Sequence, residues 1–189
     1  MPSINKYTRW SGIWSVTDAA QAKAADKWPL SRGPMGPLYA WGGGTSGELG
    51  IGDITVLRSS PVQVGSELWS SFSAGFKHSG GVRSDGTLWL WGDNTYGQLG
   101  FNSTNSYSYP KQVGSDTNWS KVVCGYQATL GLKTNGTLWS WGNNAVGTLG
   151  QNSTTSLSSP TQIGALTTWT DVAHGVGAVS AIRSNGTMW

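Results

Sequence analysis

Charged side chains are scarce in this chain of 189 residues: Asp, Glu, Lys and Arg make up 11% of it, against roughly 25% in an average soluble domain. The formal net charge of +3 arises in residues 1–37, which hold five basic and two acidic side chains. Residues 38–189 hold seven of each. A neutral region offers no basic patch for nucleic acid, and carboxylates that stand singly provide no acid–base pair.

Cysteine and histidine are nearly absent. The single cysteine, Cys124, cannot form an internal disulfide, and we interpret it as a small packed residue rather than a nucleophile. The two histidines, His78 and His174, have no neighbours at the spacing of metal ligands. The sequence therefore predicts no catalytic residue, no metal site and no cofactor, in a protein that is not an enzyme.

Long apolar runs are also missing. No uncharged apolar stretch approaches the roughly 18 residues of a membrane-spanning helix, so we expect no membrane insertion. The first residues contain no apolar segment of the kind that a secretion signal requires, so we expect no cleaved signal either.

Glycine (28) and tryptophan (12) are abundant instead, and they recur at fixed places. Trp41, Trp91 and Trp141 lie fifty residues apart, in the segments LYAWGGGTSGELG, LWLWGDNTYGQLG and LWSWGNNAVGTLG. A period of this length is typical of an array of one supersecondary unit. The chain thus contains three repeats, 38–87, 88–137 and 138–187.

Each repeat is predicted to contain four short strands. The dipeptides Asp85-Gly86, Asn135-Gly136 and Asn185-Gly186 predict type I′ hairpins that join the end of one repeat to the next. The structural unit is therefore out of phase with the sequence repeat. We expect the strand that ends in Trp-Gly to be the last strand of its unit.

This Trp-Gly strand is apolar on both faces, which is typical of a strand between two neighbouring blades. The predicted fold class is all-β: an incomplete β-propeller of four-stranded blades over residues 38–189, preceded by a mainly irregular or helical segment, 1–37. A propeller needs roughly four to eight blades to close. We therefore expect the sequence to be truncated at its C-terminal side within a longer protein; the alternative is closure by self-association.

The tryptophans divide into two groups. Those at repeated positions are predicted to be blade core: Trp41, Trp91, Trp141, Trp69, Trp119 and Trp169. Those outside the repeats flank a predicted helix over Ser15–Lys27 and are candidates for anchoring a partner: Trp10, Trp14 and Trp28. The alternative for this second group is packing on the propeller.

Polar loops follow each Leu-Gly turn and are expected on the same side of successive blades: Gly52–Ser60, Phe101–Tyr109 and Gln151–Ser159. Within them, Tyr107 and Tyr109 are candidate contacts for a protein or a glycan, because variable loops on a rigid scaffold often bind. A solvated spacer is the alternative.

The pattern Trp-Gly-x-Asn-x-x-Gly-Gln-Leu-Gly, followed by Pro-x-x-Val, Val-x-x-Gly and Asp/Asn-Gly-Thr-Leu-Trp, resembles the regulator-of-chromosome-condensation repeat. Residues 91–100 (WGDNTYGQLG) match it closely, and the resemblance covers about 38–189. It implies a propeller, seven-bladed in that family, and it implies that His78 is a packing residue. The founding member is a nucleotide-exchange factor that binds chromatin, but fold alone does not transfer that activity.

Residues 11–29 (SGIWSVTDAAQAKAADKWP) resemble a short segment in structural proteins of marine tailed bacteriophages. The predicted function is thus a non-enzymatic virion protein of a tail fibre, baseplate or capsid decoration, an oligomer attached to other virion proteins through 1–37, with loops facing a partner or host surface. Two alternatives stay open: a cellular propeller that serves as an interaction module or nucleotide-exchange factor, and a secreted glycan-binding propeller. The corresponding locations are the virion, the cytoplasm and the extracellular space.

Overall fold

The computed structural model describes residues 35–54 and 57–189, and all regular secondary structure in these two stretches is β-strand. Contacts divide the chain into two units, 1–33 and 34–189, and every described strand belongs to the second. The predicted helix over Ser15–Lys27 lies outside the described residues, as do Trp10, Trp14 and Trp28. None of the described residues forms a helix long and apolar enough to cross a membrane.

Eleven strands follow one another in these stretches. They are β1 (Gly36–Gly42), β2 (Arg58–Ala74), β3 (His78–Arg83), β4 (Leu88–Gly92), β5 (Tyr107–Gln112), β6 (Trp119–Cys124), β7 (Ala128–Lys133), β8 (Leu138–Gly142), β9 (Leu157–Gln162), β10 (Trp169–His174) and β11 (Val179–Arg183).

The strands form three antiparallel sheets, ordered β1-β2-β3-β4-β5, β6-β7-β8-β9 and β10-β11. The 17-residue β2 serves two blades, because Gln63 in its first part pairs with Tyr39 of β1 and Phe72 in its second part pairs with Gly81 of β3. The second part of β2 with β3, β4 and β5 is one four-stranded blade, and β6 to β9 are the next. The predicted all-β architecture of four-stranded blades is confirmed.

The predicted position of the Trp-Gly strand in its blade is wrong. Trp89 of β4 pairs with Gln112 of β5, and Trp139 of β8 pairs with Gln162 of β9. The proline-led strand is therefore the fourth strand of each blade, and the Trp-Gly strand is the third. A strand that is apolar on both faces pairs along both edges, and its sequence does not show which edge is the outer one.

The hairpins between second and third strands carry one residue more than predicted. In the first, the Arg83 N–H donates to the Thr87 carbonyl at 2.9 Å, which leaves a three-residue loop, 84–86. Gly86 has a φ of 82°, while the only non-glycine residues with positive φ in the described chain are Asn102 and Asn152. This is a type I turn closed by a left-handed glycine rather than a type I′ turn. Asp85 confirms its turn role, since its Oδ1 accepts from the N–H and hydroxyl of Thr87 at 2.9 and 2.6 Å.

Replacing Gly86 with alanine tests how closely one hairpin abuts the next blade. A Cβ on Gly86 would overlap the Thr117 carbonyl, whereas one on Gly186, at a φ of 80°, would meet nothing within 4 Å. Both substitutions carry the strain of a left-handed alanine, roughly 1 to 2 kcal/mol. We expect Gly86→Ala to lower the free energy of unfolding further than Gly186→Ala, by at least about 1 kcal/mol. Urea denaturation measures both, and equal losses would contradict the described contact.

Successive blades pack through the tryptophans of their third strands. The Trp91 indole N–H donates to the Glu48 carbonyl of the preceding Leu-Gly turn at 2.9 Å, and Trp141 repeats this with the Gln98 carbonyl at 2.9 Å. Around Trp141 lies a core that joins two blades, including Leu90, Leu99 and Val122. Each indole therefore occupies a pocket that the preceding blade completes.

The core prediction holds for Trp69, Trp91, Trp119, Trp141 and Trp169, which are all buried, but it is wrong for Trp41. The Trp41 side chain is 60% exposed, whereas Trp91 is 2% and Trp141 0% exposed. Trp91 and Trp141 are buried because the Leu-Gly turn of the preceding blade covers each indole. No turn of a preceding blade lies over Trp41 within residues 35–54 and 57–189.

Cys124 is buried at the end of β6, and its Sγ lies 3.3 Å from the position that a Cβ on Gly80 would take. Burial raises the pKa of the thiol far above its ordinary value. The prediction that Cys124 is a packing residue is confirmed.

Candidate interaction surface

In each blade, two kinds of connection between strands lie at the same end of the sheet. The short turns 75–77, 125–127 and 175–177 join first and second strands, and the longer loops that begin after Gly42, Gly92 and Gly142 join third and fourth strands. Because alternate connections of a meander lie at the same end, these six segments form one surface. The hairpins at 84–86 and 134–136 lie at the opposite end.

Exposed apolar side chains occupy the tips of the short turns: Phe76, Tyr126 and Val176, called the turn-tip row below. Phe76 is 55% and Tyr126 39% exposed, and their rings stack with centroids 4.7 Å apart at an interplanar angle of 26°. The Lys77 Nζ lies 5.6 Å from the Phe76 ring centroid. Aromatic side chains such as this solvent-facing stacked pair are enriched at protein interfaces, and a cation within about 6 Å of a ring centroid is attracted to the ring.

The backbone beneath this row is tightly coupled. The Phe76 N–H donates to the Gly125 carbonyl at 3.1 Å, which ties one blade's turn to the next. A Cβ on Gly75 would lie 2.5 Å from the same Gly125 oxygen, so only glycine permits this close approach. The row is therefore presented on a rigid base.

Buried asparagines hold the longer loops beside the row. Asn94 is fully buried; its side-chain amide donates to the Ser103 and Asn105 carbonyls, both at 2.9 Å, and its Oδ1 accepts from the Leu99 N–H at 2.8 Å. Asn144 makes the equivalent bonds one blade later. This role was not among the predictions, although the recurring Trp-Gly-x-Asn pattern carries the signal for it.

Asn94→Ala is expected to release the loop that it spans. The substitution leaves the buried Leu99 N–H and two carbonyls of the loop without their partner, and an unpaired buried donor alone costs roughly 1 to 3 kcal/mol in the free energy of unfolding. Amide hydrogen exchange should quicken across residues 99–106 and stay unchanged in β7. Thr104→Ala, at an exposed position of the same loop, is the control, and equal exchange in the two variants would contradict the role of Asn94.

The predicted contact residues Tyr107 and Tyr109 lie in strand β5 rather than at a loop tip. Tyr107 is half-buried, packs edge-on against Phe101 with centroids 5.3 Å apart, and accepts a hydrogen bond from Lys111 Nζ at 2.6 Å. Tyr109 is exposed on this outermost strand. In the sheet, β4 lies between β5 and β3, and the turn 75–77 joins β2 to β3. The two tyrosines of β5 are therefore not part of the turn-tip row.

His78 follows this surface but faces inward and is fully buried. The Thr129 hydroxyl donates to the Gln98 carbonyl at 2.7 Å, so it accepts from His78 Nε2, 2.9 Å away. Burial lowers the pKa of His78 to about 4; the nearby Asp93 opposes this shift and His174 adds to it. The imidazole is thus neutral at pH 7, as a packing residue should be.

Basic side chains at the opposite end of the blades lie on tryptophan rings. The Arg83 guanidinium lies 3.5 Å from the centroid of Trp89, and Lys133 Nζ lies 4.1 Å from that of Trp139. Lys133 also pairs with Asp116 at 2.7 Å. These cations pack on the rings, a role that was not predicted although Arg83, Lys133 and Arg183 share one repeat position. No group of three or more potential metal-ligating side chains occurs in the described ranges.

Stacked four-stranded meanders whose third-strand tryptophans insert beneath the preceding turn define the blades of a β-propeller. Two family models, each described as the regulator of chromosome condensation (RCC1) repeat, match the chain. One matches residues 85–132 and 135–182, and the other matches 69–98 and 119–148. These matches span more than half of the chain, which belongs to the RCC1 repeat family.

Solved propellers share the fold at low sequence identity. Prp20p of Saccharomyces cerevisiae, described for its binding to Gsp1p and histones, is 19% identical with a TM-score of 0.70 over 77% of this chain and 39% of that one. Yeast RCC1 (Prp20), in a structure with Kap60, is 22% identical with a TM-score of 0.68 over 81% of this chain and 39% of that one. Human WBSCR16 is 20% identical with a TM-score of 0.68 over 79% of this chain and 41% of that one.

The chain thus spans about two fifths of the length of these structures. A search of curated protein sequences finds no match.

Proposed function

We propose that this protein is a non-enzymatic interaction module that binds a partner protein through the turn-tip row. The stacked, exposed pair of Phe76 and Tyr126 is the observation that carries the proposal. Aromatic side chains contribute large contact areas at little entropic cost and are enriched among the residues that dominate binding energy. The coupled turns beneath them lower the cost of ordering on association.

The partner should be recognised mainly by apolar contact. Lys77 is the basic side chain beside the row, and the residues from 38 onward carry no net charge. Binding should therefore depend only weakly on salt, unlike binding to nucleic acid.

The test begins by placing a photo-crosslinking amino acid at position 126 and identifying the captured protein. The affinity of that purified protein is then measured for the wild type and for Phe76→Ser with Tyr126→Ser. We expect a loss of at least about tenfold, the size of a hot-spot contact. Tyr109→Ser is the control, because Tyr109 is an aromatic residue about as exposed as Phe76 but lies on the outermost strand, outside the turn-tip row. An unchanged affinity in the double variant would reject the proposed surface.

We further propose that the setting is the virion of a tailed bacteriophage, with residues 1–37 attaching the protein to the particle. This is supported by the resemblance of residues 11–29 to phage structural proteins and by the low charge of the repeats. Deleting residues 1–37 should abolish incorporation into particles while the propeller still folds, as judged by circular dichroism. Incorporation of the deleted form would argue against this setting.

The cellular alternative is favoured by the likeness to Prp20p, a protein described as binding Gsp1p and histones. Release of a labelled nucleotide from a Ras-like GTPase distinguishes the two settings. Acceleration by this protein would favour a cellular exchange factor, and no acceleration is expected for a virion component. A glycan array that is positive only with Tyr107 and Tyr109 intact would favour the secreted glycan-binding alternative.

A further inference from the structure

The Lys77 ammonium in the turn-tip row has no acidic or hydrogen-bonding partner among residues 35–54 and 57–189. It lies only against the Phe76 ring, with 5.6 Å between Nζ and the ring centroid, close to the roughly 6 Å limit of such contacts. Each of the other basic side chains in these two stretches forms an ion pair or a hydrogen bond: Arg58, Arg83, Lys111, Lys121, Lys133 and Arg183. The row therefore carries a positive charge that packing within the blades leaves free.

The same turn position in the next blade is neutral and fully engaged. Gln127 occupies it, and its Oε1 accepts from Asn143 Nδ2 at 2.8 Å. The residue that corresponds to Asn143 in the first blade is Asp93, but its carboxylate accepts hydrogen bonds from two side chains of its own loop, at 2.6 and 2.7 Å. Asp93 and Lys77 form no ion pair in the described part of the chain, so the charge of Lys77 is directed to the solvent.

The backbone fixes Lys77 beside the aromatic pair. Its carbonyl accepts from the Asp93 N–H at 2.8 Å, and the Phe76 N–H donates to the Gly125 carbonyl at 3.1 Å. A partner that covers Phe76 and Tyr126 therefore also brings its surface over the Lys77 ammonium. Removing an ammonium group from water is unfavourable unless an opposite charge meets it, so the partner must supply a negative group at this point.

We propose, on the basis of the function proposed above, that the partner segment presents one carboxylate to Lys77, next to an aromatic or large aliphatic side chain that packs on Phe76 and Tyr126. A lysine ammonium offers three donors and no acceptor, and its hydrogen bonds to a carboxylate are stronger than those between neutral groups. A single pair of this kind, sheltered by the rings, keeps the dependence on salt small.

The isolation of Lys77 favours a carboxylate over a phosphate group. Phosphate groups on proteins are recognised by clusters of arginines, which form several hydrogen bonds to them at once. The three short turns 75–77, 125–127 and 175–177 contain Lys77 as their one basic residue, since Gln127 and Gly177 follow at the same position. One positive charge beside two rings matches an acidic residue within an apolar segment.

Peptide arrays test this chemistry on the full 189-residue chain. The peptides are capped at both ends, have equal length and carry one variable position, Glu, Gln, Lys or phosphoserine, between two neighbours drawn from Trp, Phe, Leu and Val. The best Glu peptide should bind at least about tenfold more tightly than its Gln counterpart, as expected for a hydrogen bond between charged groups. An array without binding Glu peptides, equal binding of Glu and Gln peptides, or tighter binding of phosphoserine peptides would overturn the inference.

Variants of Lys77 assign the preference to this side chain. Lys77→Gln should reduce the affinity of Glu peptides to that of Gln peptides, and Lys77→Glu should make Lys peptides the tightest ligands. Both variants should fold, because Lys77 is exposed, and circular dichroism checks this. Thr104→Glu lowers the net charge by as much as Lys77→Gln, at an exposed position of a longer loop, and should leave the preference unchanged. A preference for Glu that persists in Lys77→Gln would overturn the inference.

The double variant Phe76→Ser with Tyr126→Ser separates this inference from the proposed function. Loss of the Glu peptides in the double variant, together with the Lys77 effect, supports both. Peptides that depend on the two rings but show no preference for Glu would overturn the carboxylate inference and leave the turn-tip row as the binding surface. Glu peptides that bind the double variant as tightly as the wild type would reject the surface itself, and the inference with it.

Discussion

Trp141→Ala is expected to lower the free energy of unfolding by about 3 to 5 kcal/mol, the cost of removing a large aromatic side chain from a core. Trp141 is fully buried, lies 6.0 Å from Trp119 between ring centroids and donates to the Gln98 carbonyl at 2.9 Å. Its loss opens a cavity between two blades, which cannot close without moving one sheet against the other. Urea denaturation with a constant m value measures the change.

Trp41→Ala is the matched control, because it changes the same residue at the same repeat position. With Trp41 60% exposed, the loss should be below about 1 kcal/mol, as for most surface substitutions. Equal losses in the two variants would contradict the described packing.

Lowering the pH from 7 to 4 is expected to destabilise the protein through His78. The pKa of His78 is about 4 in the folded state, against about 6.5 in an unfolded chain. Between these values the unfolded state binds more protons, so stability rises with pH. The stabilisation is fully present above about pH 6.5 and is lost as the pH falls towards 4, amounting to about 3 kcal/mol at a cost of 1.36 kcal/mol per pH unit.

His78→Gln isolates this contribution, because a glutamine amide can donate to Thr129 as Nε2 does but does not titrate in this range. The difference in unfolding free energy between pH 7 and pH 4 should shrink by most of that amount. His174 has a pKa lowered by burial and acts in the same direction, so His174→Gln is measured in parallel. Asp85 and Asp171 have lowered pKa values and contribute only below the ordinary carboxyl range. An unchanged pH dependence in His78→Gln would contradict the buried neutral histidine.

The tryptophan period was sufficient to predict the blades and most of their core. It did so because each repeat places an indole under the turn before it, and the sequence shows both the indole and the turn. Trp41 shows where this reasoning ends. Its sequence environment matches that of Trp91, but its burial depends on a neighbouring blade that the segment around it does not encode.

Strand order and turn type were harder to predict, because the local sequence is the same for the alternatives in each case. Leu88 to Trp91 would be apolar on both faces whether the strand were third or fourth in its blade. The loop 84–86 is one residue longer than a type I′ hairpin loop and contains a type I turn, but Asp-Gly suits both geometries, so the dipeptide alone does not distinguish them.

The turn-tip row was missed because it does not repeat as one residue type. Phe76, Tyr126 and Val176 share a repeat position, but the first two are aromatic and the third is aliphatic, so no motif marks them. Asn94 and Asn144 do repeat, and their role could have been found by asking which polar residue recurs beside Trp-Gly. Tyr107 and Tyr109 were placed in a loop because the polar residues before Pro110 gave no strand signal.

Indole hydrogen exchange followed by NMR tests most directly the central claim, that each blade buries the third-strand tryptophan of the next and leaves Trp41 open. The Nε1–H groups of Trp91 and Trp141 should exchange slowly, because both indoles are buried and donate to turn carbonyls of the preceding blade, while that of Trp41 should exchange as fast as a free indole. Protection of Trp41 equal to that of Trp141 would contradict the account.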